Sequence, residues 1–331
     1  MTQTLTVEVL VRPEDRRRAM EEDVRDSLAS RDKTIPPVWF YDETGSRLFD
    51  EITRLPEYYL TRAERSILGE RAAEIAERSG ADTLVEIGSG TSEKTRLLLD
   101  AMAASGSLRS IVLLDISEEI LREAARELGD RYDVAVRAVV GDLRRDLAHL
   151  GGDGRQLWAF LGSTIGNFPP SDRAGLLSLF RQAMGRGDTL LLGTDLVKPV
   201  ERLLAAYDDP AGVTARFNLN VLNVLNRELG ADFHPEGFAH RAVWNPAGRW
   251  IEMRLRSGEA QAARVTALDM DITLEPGEEI LTEISAKFDP VELPGELRSA
   301  GLAPLCSWTD RAGDFLLTLA APQPDRADRV V

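Results

Sequence analysis

The residues of this chain that could do chemistry fall where a folded backbone would expose them. Val85-Glu86-Ile87-Gly88-Ser89-Gly90-Thr91-Ser92 runs from an apolar strand into a glycine turn and then a helix. Glycines there let the backbone approach a bound molecule and take positive φ without a Cβ penalty. A dinucleotide fingerprint would need a third glycine where Glu93 stands, and an acid at that helix N-terminus opposes a pyrophosphate. Asp115 closes the apolar run 111–114. A carboxylate at such a strand end can accept both hydroxyls of a ribose. The plain alternative is a helix-initiating acid, although Ser117 can cap that helix and leave Asp115 to a ligand. Asp142 ends the next strand, placed to accept the amino group of an adenine. Asn167, after Gly166, offers an amide that donates to a carboxylate and accepts from an amine, or else simply turns the chain.

A second group lies apart from these. Glu283 and Ser285 are two positions apart in an expected strand, so their side chains share a face, with Ile280 and Ile284 on the opposite, packed face. An acid and a hydroxyl presented together can grip an imidazole N–H; an ordinary amphipathic strand with a solvated acid has the same spacing. Tyr207 ends an apolar helical turn before Asp208-Asp209, and core packing with the phenol at the surface is its simplest role. Trp39-Phe40-Tyr41 follows two prolines, and Tyr58-Tyr59 follows Pro56. In a chain with 6% aromatics, two such clusters on proline-bounded loops are candidates for lining a cavity as well as for packing.

The elements that must hold these groups follow from periodicity. Met20, Val24 and Leu28 predict an amphipathic helix over 14–30. Thr61-Arg62-Ala63-Glu64 has the form of a capping box, with a helix running to Gly80. From Thr83 to Leu192, short apolar runs alternate with helical stretches, which predicts an α/β doubly wound sheet covered on both faces. After Pro199 the pattern predicts one long helix over 200–229 closed by Gly230, then a hairpin across Asn245-Pro246-Ala247-Gly248. Further strands are expected at 265–274 and 280–288, and 315–319 return to the central sheet.

Composition narrows the function. The 331 residues are 43% hydrophobic, enough for one large or two modest cores, and 40 Lys plus Arg against 55 Asp plus Glu leave a net charge of -15. That field repels polyanions, so neither nucleic acid nor an anionic membrane is the expected partner. Asn167-Phe168-Pro169-Pro170 is therefore not read as a nucleic-acid methylation motif, and its residue order is also wrong for one. One cysteine, Cys306, and three scattered histidines give neither a disulfide nor a zinc spacing, so no metal is expected. A cytoplasmic protein without a membrane span is expected, and a monomer.

The turn at Glu86-x-Gly88-x-Gly90 resembles the first motif of class I S-adenosyl-L-methionine (SAM) methyltransferases. Nearly the whole chain resembles the histidine-specific, SAM-dependent α-N-methyltransferases of ergothioneine biosynthesis. The resemblance rests on Pro36-Pro37-Val38-Trp39-Phe40-Tyr41-Asp42, Leu55-Pro56-Glu57-Tyr58-Tyr59 and Glu93-Lys94-Thr95. It continues in residues 160–167 and 192–198, Tyr207-Asp208-Asp209, residues 223–229 and Leu281-Thr282-Glu283-Ile284-Ser285. It implies a Rossmann-like SAM domain over 61–198 plus 287–321 and an interleaved α+β substrate domain over 14–60 plus 199–286. Residues 1–13 and 322–331 are left as loose tails. It implies that Gly88, Lys94, Asp115, Asp142 and Leu143 bind SAM, and that Tyr58, Asn167, Tyr207, Glu283, Ile284 and Ser285 bind L-histidine, with Tyr41 near the reacting amine. Leu143 departs from an aromatic at that position, which would alter adenine affinity rather than reaction type.

The reaction so implied passes three methyl groups in turn to the α-amine, giving the betaine hercynine. An amine attacks a sulfonium methyl only with its lone pair free and in line, so Tyr41 and Asn167 are expected to orient it, with Tyr41 or water taking the proton. Two other readings remain: a methyltransferase of the same fold acting on another amino acid, and a noncatalytic SAM-binding module.

Overall fold

The computed structural model describes residues 5–90 and 92–324; Thr91 of the glycine turn, and residues 1–4 and 325–331 of the expected tails, lie outside them. In chain order the helices are α1 (Pro13–Leu28), α2 (Glu43–Thr53), α3 (Leu60–Ser79), α4 (Arg96–Ala104), α5 (Glu118–Arg131), α6 (Leu143–Asp146), α7 (Pro170–Ala183), α8 (Val200–Tyr207), α9 (Val213–Leu229) and α10 (Leu293–Ser299). The strands are β1 (Leu5–Val9), β2 (Thr83–Ile87), β3 (Ser110–Asp115), β4 (Ala135–Val140), β5 (Gln156–Phe160), β6 (Thr189–Asp195), β7 (Phe238–Asn245), β8 (Trp250–Ser257), β9 (Gln261–Val265), β10 (Met270–Leu274), β11 (Glu279–Ala286), β12 (Leu302–Thr309) and β13 (Phe315–Pro322). Two units share the chain: Met1–Val11 with Arg62–Val197 and Lys287–Val331, and Arg12–Thr61 with Lys198–Ala286. No helix among the described residues is long and apolar enough to cross a membrane.

The first unit is built on an eight-stranded sheet of order β1-β4-β3-β2-β5-β6-β13-β12. Strands β1 to β6 pair in parallel, whereas β13 runs antiparallel to β6 and β12 antiparallel to β13. The runs in β2, β5 and β6 are buried at every residue, as expected for strands with helices on both faces. Strand order reverses between β2 and β5, so the loops leaving β2, β3, β4 and β5 emerge at one edge around a topological switch point, the usual ligand crevice of such sheets. Residues Leu5–Val9, expected to be part of a loose tail, instead pair with β4 as an edge strand. The chain leaves this unit after Val197 and returns at Lys287. There the buried Lys287 Nζ meets Asp195 Oδ2 at 2.9 Å, and Phe288 N–H donates to the Asp195 carbonyl.

The second unit joins α1, α2, α8 and α9 with a three-stranded antiparallel sheet of order β11-β8-β7 and the hairpin β9-β10. Helix α1 buries Met20, Val24 and Leu28, the stripe its spacing predicts. The single helix expected over 200–229 is two. The break falls at Asp208-Asp209-Pro210-Ala211-Gly212, where the Asp209 carboxylate accepts the backbone N–H groups of Val213 and Thr214 at 3.0 and 2.7 Å and Gly212 takes φ 69°. Proline, an acid taking orphan amides and a left-handed glycine begin a new helix more favourably than they continue an old one. The strand expected over 265–274 is likewise divided, by a turn at Thr266–Leu268 and Asp269 at φ 52°.

Candidate active site

In the first unit the predicted residues converge on the switch-point edge. Gly88 and Gly90 take φ 68° and 48°, and nothing lies within 4 Å of where a Cβ on either would stand, so the turn is an open cradle. Asp115 Oδ2 accepts the Gly90 N–H and its Oδ1 the Ser117 N–H, both at 2.9 Å. Ser117 makes no side-chain cap. Asp115 thus shapes the glycine turn and fixes the residue that precedes α5, while Ser117 stands at the N-cap without the side-chain bond expected of it. Asp142 caps α6 through Arg144 N–H at 2.8 Å, and Leu143 follows it half-buried. Asn167 is half-buried at the end of the turn Thr164–Asn167 after β5.

Beneath the cradle lie two buried carboxylates that local sequence did not reveal as such. Glu86 accepts Ser92 Oγ at 2.6 Å and the Thr95 hydroxyl, tying the turn to the start of α4. Burial pushes its carboxyl up to about 7 against the opposing pull of those hydroxyls and of Lys94. Glu64 was expected to close a capping box. Helix α3 starts at Leu60 instead, and the fully buried Glu64 carboxylate accepts the Gly162 N–H at 2.8 Å and pairs with Lys94. One acid thus clamps the loops after β2 and β5 across the switch point. Its partners stand 30 and 98 positions away, so only the fold could show it.

In the second unit the predicted residues form a continuous chain of contacts. Tyr41 meets Phe49 edge-on at 5.8 Å, Phe49 meets Tyr58 at 6.3 Å, Tyr58 meets Tyr207 at 6.1 Å, and Tyr207 Oη lies 2.6 Å from Ser285 Oγ. Edge-to-face rings at these separations reinforce one another beyond simple burial. The Tyr207 phenol is buried, so the simpler alternative of a packed ring with its hydroxyl at the surface does not hold. Tyr41 also packs on Phe217, and its neighbour Asp42 accepts Gly45 N–H, Asn220 Nδ2 and Arg227 Nη1 at 2.7, 2.8 and 2.9 Å. Phe49 and Phe217 carried no sequence signal beyond being aromatic.

Glu283 and Ser285 reach this group through an irregularity. Leu281 pairs with Arg254 of β8 but Glu283 with Met253, so Thr282 is an extra residue, a β-bulge. It reverses the alternation. Ile280, Glu283 and Ser285 face the side of Leu255, Met253 and Ile251, while Ile284 turns to the other face with Glu252 and Arg254. The expectation that Ile280 and Ile284 share a packed face is corrected accordingly. Glu283, 9% exposed, is an acid set into an apolar face. Thr282 Oγ1 donates to Asn218 Oδ1 at 2.6 Å and lies 2.9 Å from the Met253 carbonyl, pinning the bulge.

The glycine cradle, the carboxylates ending successive strands and the sheet order together define a SAM-dependent methyltransferase of the Rossmann-like class. The residues present suit that co-substrate: the turn leaves room at both glycines, and the buried Ser89 Oγ has no partner among the described residues. The family described as histidine-specific methyltransferase, SAM-dependent, matches residues 20–322, and the chain belongs to it. It is 53% identical over 304 residues to the histidine N-alpha-methyltransferase of Mycobacterium tuberculosis, covering 92% of this chain and 95% of that one. It is likewise 53% identical over 303 residues to the enzyme of that name from Mycolicibacterium smegmatis, covering 91% and 94%. Among solved structures, a SAM-dependent methyltransferase from Clostridium acetobutylicum aligns over 77% of this chain and 91% of its own at 10% identity, with a TM-score of 0.44.

Proposed function

We propose that the enzyme transfers methyl groups from SAM to the α-amine of L-histidine, three in turn, to give the trimethylated betaine. The observation that carries this reading is the bulge at Thr282, which aims Glu283 and Ser285 together onto the face that also holds Tyr207. An acid, a hydroxyl and a phenol gathered in an apolar wall suit an imidazole, whose N–H donates and whose second nitrogen accepts. A phenylalanine side chain in the same place would offer the acid and the hydroxyl no N–H and no ring nitrogen, which favours histidine over it.

In the first unit, Gly88, Lys94, Asp115, Asp142 and Leu143 would hold SAM, which supplies an electrophilic methyl group on a sulfonium. Asn167 would orient the amino acid by its amide, accepting from the amine or donating to the carboxylate. Tyr41, fixed by Phe49, Phe217 and the Asp42 clamp, would steer the amine and relay its proton to water. Each methyl removes one N–H donor, so the hold on the product weakens as the reaction proceeds, which favours release after the third transfer. The free thiol of Cys306 suits a reducing cytoplasm.

Incubation with SAM and a panel of amino acids, followed by product mass, tests the proposal. Mono-, di- and trimethylated histidine are expected. Methylation of a different amino acid in preference to histidine would replace the substrate, and SAM binding without any product would remove the activity.

A further inference from the structure

His240 lies on β7 opposite Leu255, so it faces the same side of the sheet as Ile280, Glu283 and Ser285. Its Nε2 is 2.8 Å from the backbone carbonyl of Tyr207, the last residue of α8, and its Nδ1 is 2.8 Å from Asn218 Nδ2. The protons can be placed. Asn218 Nδ2 also lies 3.2 Å from the Arg254 carbonyl, which only accepts, so the amide NH2 must be on that side. Nδ1 is then an acceptor, and the single ring proton sits on Nε2 and donates to Tyr207. Asn218 Oδ1 in turn accepts the hydroxyl of Thr282, the bulge residue.

We infer that His240, as the neutral Nε2–H tautomer, is a positioning residue for the histidine-binding half of the site. It fixes the C-terminal carbonyl of the helix bearing Tyr207 and, through Asn218, the bulge that aims Glu283 and Ser285. Carbonyls in the last turn of a helix lack partners within the helix, and His240 supplies one at the residue whose hydroxyl meets Ser285. A doubly protonated ring would set Nδ1–H against the Asn218 NH2 and break the link. Burial holds the ring below its ordinary range despite the Tyr207 carbonyl and the carboxylates of Asp208 and Asp209 beyond α8. Leu255 of β8 and Asn218 of α9, which also neighbour the ring, are uncharged.

This inference rests on the histidine reading above, and steady-state kinetics of the full chain test it. His240→Phe removes both hydrogen bonds and is expected to raise KM for histidine by about tenfold or more, with KM for SAM moving less than about twofold. His240→Gln restores a donor to the Tyr207 carbonyl and should return KM for histidine to within about threefold of wild type. A His240→Phe enzyme with unchanged KM for histidine, or a His240→Gln enzyme no better than His240→Phe, overturns the inference. Should His240→Phe fail to fold, His240→Asn replaces it, since it keeps an acceptor for Asn218 but stops short of the carbonyl. Equal KM values for His240→Asn and His240→Gln then overturn it. Wild-type enzyme that does not methylate histidine would defeat the functional reading itself, whereas wild-type turnover with KM unmoved in the variants defeats only the role of His240.

Discussion

Tyr207 and Ser285 share a hydrogen bond of 2.6 Å across 78 positions of sequence, and through it the end of α8 is joined to the strand that carries Glu283. Tyr207→Phe leaves the buried Ser285 hydroxyl without this partner and should cost about 1 kcal/mol of stability. KM for histidine should rise with it, while SAM affinity stays level. Denaturant titration and steady-state kinetics read the two effects, and a loss of SAM affinity would place Tyr207 in a different part of the reaction.

Glu283→Ala should lower kcat/KM for histidine by about tenfold to a hundredfold, the worth of a hydrogen bond to a charged group in a buried site. The same variant should discriminate less against amino acids that lack an imidazole. Kinetics of histidine beside phenylalanine settle it: histidine kcat/KM within a few-fold of wild type would remove Glu283 from recognition.

Asp115→Ala strips the partners from two backbone N–H groups, at Gly90 and Ser117, besides removing an acceptor for ribose hydroxyls. SAM affinity is expected to fall by about tenfold or more, with the order of preference among amino acids unchanged. Calorimetric titration with SAM measures the first effect, and undiminished binding would show that the carboxylate serves the fold alone.

Glu86 makes stability depend on pH in a definite direction. Its carboxyl stands at about 7 in the folded protein against an ordinary 4.5, so the native state holds the proton more tightly than the unfolded chain. Stability from this group is full below about pH 4.5 and is lost as pH rises towards 7, by about 3 kcal/mol in all. Glu86→Gln abolishes this slope, and its lost hydrogen bond is a constant offset. Thermal unfolding of both proteins from pH 5 to 8 should show the variant gaining on wild type as pH rises; parallel profiles would contradict it.

What could be read from the sequence follows the range of the interactions involved. The strands of the switch-point sheet were legible because each is a short apolar run, and the glycine turn because positive φ leaves its mark on composition. The break between α8 and α9 had a signal in Pro210 and Gly212 that the continuing apolar periodicity masked. The bulge at Thr282 had none, since strand parity cannot show where one residue is skipped. Glu64 and His240 are legible only in three dimensions: the same residues fit a helix cap and a surface strand, and their partners lie on distant elements.

The insertion of residues 198–286 between strands of one sheet sets a timetable for synthesis. Asp42 needs Asn220 and Arg227, which are made 178 and 185 residues later. At about 5–20 residues per second, that delay is on the order of ten seconds or more. Throughout it Phe40, buried in the finished protein, waits on the nascent chain without Phe217 to cover it. Codon-slowed translation of the middle of the message would lengthen that wait, and a holdase chaperone acting on the emerging chain should recover yield by sheltering the segment around Phe40.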